Sequence, residues 1–131
     1  MKALARISPV LALVGLTGCM EAKPAPERFA PTYHGVKTDL LNGDLVNFHV
    51  RMTGARGIAD VDHYVECAAA QYALIRGYGF ARHIRTQVEQ SGRVWHGDAV
   101  YTISDAIPDG ITKLDAEVVV ANCAENGIPM V

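Results

Sequence analysis

The sequence predicts an α+β fold, one helix packed on a small, mostly antiparallel sheet in the order β-α-β-β-β, and three stretches carry that expectation. Residues 44–52, DLVNFHVRM, alternate: Val46, Phe48, Val50 and Met52 fall on one side and Asn47, His49 and Arg51 on the other, the period of a half-buried strand. Residues 61–79 place Val61, Tyr64, Val65, Ala68, Tyr72 and Ile75 at helical spacing. Residues 80–104 read as two strands, 80–90 and 94–104, joined by a turn at Ser91, Gly92 and Arg93.

The other segments follow in order. Met20 to Thr32 holds three prolines and little to bury, which predicts an extended tether rather than packed structure. The domain is expected to start between Thr32 and Val36 and to occupy residues 36–131, with 19–35 as the tether. Gly54 and Gly57 end the first strand, Asp60 or Asp62 is the expected helix cap, and Gly77 or Gly79 the stop. Ala68, Ala69 and Ala70 suit close packing of the helix on a sheet. Pro108, Asp109 and Gly110 form a turn signal, and residues 111–123 read as a last strand with Leu114, Ala116, Val118 and Val120 on one face. No internal repeat or low-complexity run is present.

The first 18 residues have the layout of a secretory signal: Lys2 and Arg6, then an apolar run from Ile7 to Leu16, then the small residues Thr17 and Gly18. The run is about ten residues, whereas a helix crossing the hydrocarbon layer needs roughly 20. Leu16, Thr17, Gly18 and Cys19 resemble the lipobox of bacterial lipoproteins. The resemblance implies cleavage before Cys19 and acylation of that residue, which would hold the protein at a membrane without a spanning segment, since two or three acyl chains anchor stably where one does so marginally. Met20 is not acidic, and the same resemblance then implies an outer membrane, facing the periplasm.

With Cys19 assigned to lipid, Cys67 and Cys123 form an even pair in an oxidising compartment, which reads as a disulfide. Closing a loop of about 57 residues contributes ~4 kcal/mol in the chain-entropy picture, a large share of a small domain's stability. The competing reading groups Cys67 and Cys123 with His63 as metal ligands, but tetrahedral sites usually draw on close ligand pairs such as Cys-x₂-Cys, and no second such pair exists.

Without Lys2 and Arg6, ten basic residues stand against fourteen acidic ones, a net charge of −4 that argues against nucleic acid as a partner. The charge is uneven. Arginines 51, 56, 76, 82, 85 and 93 lie in the middle, and residues 94–131 carry six acids against Lys113. No Gly-x-Ser-x-Gly is present, Ser91 and Ser104 border turns, and Gly77-Tyr78-Gly79 follows a helix where a phosphate loop precedes one. The expectation is a non-enzymatic protein with no cofactor.

Two surface sets remain. Arg82, Arg85 and Trp95 form a candidate partner-binding patch, because Arg and aromatic residues are enriched where proteins meet. His49, His83 and His96 could share one polar face of the sheet and bind a small ligand or a metal ion. The segment CAAAQYALIRGYGF is similar to the alanine-rich helix of small bacterial envelope lipoproteins. That resemblance implies the address and the fold and assigns no catalytic residue. The combined expectation is an envelope interaction or assembly module, with a periplasmic ligand-binding or metal-binding lipoprotein as the alternative.

Overall fold

The computed structural model describes Gly15, Gly18 and residues 29–106 and 113–130. Cys19 and the turn at 108–110 lie outside the described residues. The elements run β1 (Thr32–Leu40), β2 (Leu45–Thr53), α1 (Ile58–Ile75), β3 (Phe80–Ser91), β4 (Val94–Ser104), β5 (Lys113–Asp115) and α2 (Ala116–Glu125). The strands form one antiparallel sheet in the order β1-β2-β4-β3-β5.

The alternation in β2 does what the pattern predicts. Val46, Phe48, Val50 and Met52 are buried under α1, together with Ala99, Tyr101 and Ile103 of β4. Helix α1 meets them with Val61, Tyr64, Val65, Ala68, Ala69 and Ala73, all buried. The small residues let the helix approach closely, and Gly97 completes the fit. A Cβ there would stand 2.8 Å from Val61 Cγ1, 2.9 Å from Val50 Cγ2 and 3.2 Å from Val65 Cγ2.

The ends of α1 are set locally. Its N-cap is Gly57, not Asp60 or Asp62. Asp60 instead reaches back from the first turn, accepting from the Arg56 backbone N–H at 2.7 Å and from the Arg56 guanidinium at 2.8 and 3.1 Å. At the other end Gly77 adopts φ +81°, donating to the Leu74 carbonyl while Tyr78 donates to that of Ala73, a Schellman stop.

β1 starts at Thr32, and Thr32, Tyr33 and Gly35 pair with β2. Two expectations are corrected. The element order is β-β-α-β-β-β-α, not β-α-β-β-β. The expected last strand is strand only over Lys113–Asp115, after which Asp115 caps α2 by accepting from the backbone N–H groups of Glu117 and Val118 at 3.2 and 3.4 Å.

The expected disulfide is present. Cys67 of α1 and Cys123 of α2 are bonded, with Cα atoms 6.0 Å apart. Both sulfurs are thereby used, so the grouping with His63 as metal ligands does not form. Helix α2 packs on α1 and β5, which leaves both helices on one side of the sheet and the other side open. No helix among the described residues is long and apolar enough to cross a membrane.

Candidate functional site

The uncovered face of the sheet is polar, and strand register orders its side chains into rows. The first row carries Arg51, His96 and Glu89; the second Lys37, His49, Asp98 and Gln87; the third Asp39, Asn47, Val100 and Arg85. Arg82 follows beside Thr102. The first two rows, with His34, line a groove of about 720 Å³. Its size is that of sites which accept small molecules or a short peptide segment.

Part of this face is internally neutralised. Asp39 holds Lys37 at 3.6 Å and His49 at 3.4 Å, and Asp98 holds Arg85 at 3.7 Å. Asn47, only 8 % exposed, donates to Asp98 at 2.6 Å and to the Ala99 carbonyl at 3.0 Å, fixing that carboxylate. Arg51 and His96, opposite one another in β2 and β4, make no hydrogen bond or ion pair with a described residue. They are donors open to a ligand in the groove.

The two surface sets expected from sequence are both divided by the sheet. Arg82 and Arg85 lie on the open face, whereas Trp95 belongs to the helix-covered face, opposite Met52 and packed against the core. His49 and His96 share the open face and the groove, but His83 lies on the other side, opposite Tyr101, with its Nε2 2.6 Å from Thr86 Oγ1. A bulge in β3 between His83 and Arg85 explains the split: the extra residue breaks the alternation that would have put both on one face. His49, His83 and His96 therefore form no ligand set, and no group of three His, Cys, Asp or Glu suited to a metal ion occurs among the described residues.

A second, smaller cleft of about 430 Å³ lies between α1 and β3. Asp62 and Glu66, one helical turn apart, face His83, Thr86 and Tyr101 across it, with Ile58 and Val88 as apolar walls. Burial raises the pKa of both carboxyls, and the nearby histidines only partly oppose it. Asp60, two residues earlier, goes the other way, because its hydrogen bonds from Arg56 hold it below the usual range. Burial, reinforced by Glu66 and Asp62, pushes the Tyr101 hydroxyl well above the ordinary tyrosine value. Sequence reading missed this cleft; the signal available was an acidic pair at i, i+4 on the edge of a helix whose other face is apolar.

Residues 33–127 match the family model of the YNQ4 C-terminal domain. The chain belongs to that family. A relative described as an uncharacterised 26.9 kDa protein in the nqo8 5′ region of Paracoccus denitrificans is 36 % identical over 78 residues, covering 56 % of this chain. The matched stretch spans 30 % of that relative's length. No solved structure matches.

Proposed function

We propose that this YNQ4 domain is the folded part of a lipid-anchored envelope protein, attached through Cys19, and that it acts as a non-enzymatic interaction module whose open sheet face receives a carboxylate-rich surface of an envelope protein. The tether sets reach, the lipid sets location, and the face sets choice of partner. The carrying observation is charge. Lys37, Arg51, Arg82 and Arg85 stand against Asp39, Glu89 and Asp98 on the open face, an excess of one positive charge in a chain whose net charge is −2, and Arg51 and Arg82 make no ion pair with a described residue. A cationic face on an acidic chain steers an acidic partner toward one orientation. The Cys67–Cys123 bridge is in keeping with an oxidising compartment.

The test is site-specific photocrosslinking in intact cells. A photoreactive residue at Arg51 is expected to give a discrete protein adduct, and one at Glu117, exposed on α2, none. Equal labelling from both positions, or none from Arg51, would remove the open face as the contact surface. A ligand-binding role is the second reading, favoured by the unpaired Arg51 and His96 in the groove; a bound small anion without a protein adduct would support it instead.

A further inference from the structure

On the other side of the sheet, the cleft between α1 and β3 holds two carboxyls whose charge the nearby His63 and His83 offset only in part. Asp62 and Glu66 are half-buried, and neither makes a hydrogen bond or ion pair with a described residue, in contrast to the three bonds that Asp60 receives. Tyr101 is 2 % exposed and lines the same cleft, yet its hydroxyl has no hydrogen-bond partner among the described residues. A side chain as buried as Tyr101 nearly always has its polar group partnered, so its hydroxyl, beside two half-buried carboxyls, marks a place for an external donor. The groups needed are a positive charge and N–H donors, which an ammonium or guanidinium supplies and a neutral or anionic ligand does not. Ile58 and Val88 offer apolar walls for an alkyl stem, in the way lysine and arginine stems lie along apolar surface.

We propose that this cleft binds a protonated alkylamine or alkylguanidine group, with Asp62 and Glu66 as its counter-charges and the Tyr101 hydroxyl as a further acceptor. His83 is occupied by Thr86 and by an edge contact with the Tyr101 ring at 5.2 Å, and it shapes the wall. The site does not depend on the open-face reading, because the two lie on opposite sides of the sheet and share no residue.

The test is a nuclear magnetic resonance titration of the ¹⁵N-labelled full chain in detergent micelles with n-butylammonium chloride, at constant ionic strength, with n-butanol as the neutral counterpart. Saturable shifts confined to the amides about Asp62, Glu66, Thr86 and Tyr101, with a dissociation constant on the order of 1 mM, are expected for the ammonium alone. In the Asp62→Asn, Glu66→Gln double variant the affinity should fall at least about tenfold. Absence of shifts at the cleft, equal shifts with butanol, or an affinity unchanged in the double variant would overturn the site. The wild-type comparison with butanol decides even if the variant misfolds. A blocked lysine, N-acetyl-lysine methylamide, separates the sources: binding at least as tight as butylammonium assigns the group to a partner's side chain, and weaker binding to a free amine.

Discussion

Gly97 is the residue on which the close approach of helix and sheet depends. Any side chain there meets Val61 and Val50 inside van der Waals distance, so Gly97→Ala should cost about 1–3 kcal/mol, measured by denaturant unfolding; an unchanged midpoint would show that α1 can lift without penalty. Asp60 serves the helix start through the Arg56 amide and guanidinium. Its folded pKa is lowered, so its contribution is present above the unfolded carboxyl value and is lost as pH falls through the folded one. Asp60→Asn is expected to lose about 1–2 kcal/mol at neutral pH and to lose less than the parent on acidification. Asp62 and Glu66 have raised folded values and the opposite sign. Their burial penalty is absent below the unfolded carboxyl pKa and complete above the raised folded pKa. The Asp62→Asn, Glu66→Gln variant should therefore gain stability on the parent as pH rises through that window, a difference that paired melting curves would show or refute.

At the scale of elements, the strands with a clean apolar and polar alternation and the helix with alanines on its buried face were legible, and their observed bounds lie close to the expected ones. Two elements were not. β1 is an edge strand that rests on the core with Tyr33 and Val36 and is interrupted by a bulge at His34, so its pattern is too sparse to read; Asn42-Gly43 was the overlooked signal for the hairpin that joins it to β2. α2 carries the run Val118-Val119-Val120, which favours a strand locally. Its buried positions are instead Ala116 and Cys123, with Val119 and Val120 partly buried between them, a helical spacing that overlies the alternation seen in sequence. The Asp115 cap and Gly127, which closes α2 as Gly77 closes α1, were the local evidence for it. Helix α2 is then held to α1 by the bridge. Cys67→Ala with Cys123→Ala should lower stability by about 4 kcal/mol, with hydrogen exchange rising first in α2; uniform exchange across the sheet and both helices would contradict that order.

Across the whole molecule, the division of labour follows from where the helices sit. Both cover one side of the sheet, which places the core and the acidic cleft there and leaves the arginine- and histidine-bearing side to solvent. Composition and register patterns were enough to name Arg82, Arg85, His49 and His96 as surface candidates. They could not show that Trp95 and His83 turn the other way, because a bulge and the choice of covered face are properties of the folded sheet. The lipid-anchored reading rests on the first 19 residues and on the bridge together. The most direct measurement is the intact mass of the protein taken from its native membrane, with and without reductant. We expect a chain beginning at Cys19, heavier than its polypeptide by acyl groups and gaining two hydrogens on reduction. An unacylated chain that retains Met1, with unchanged mass on reduction, would contradict both the anchor and the staple.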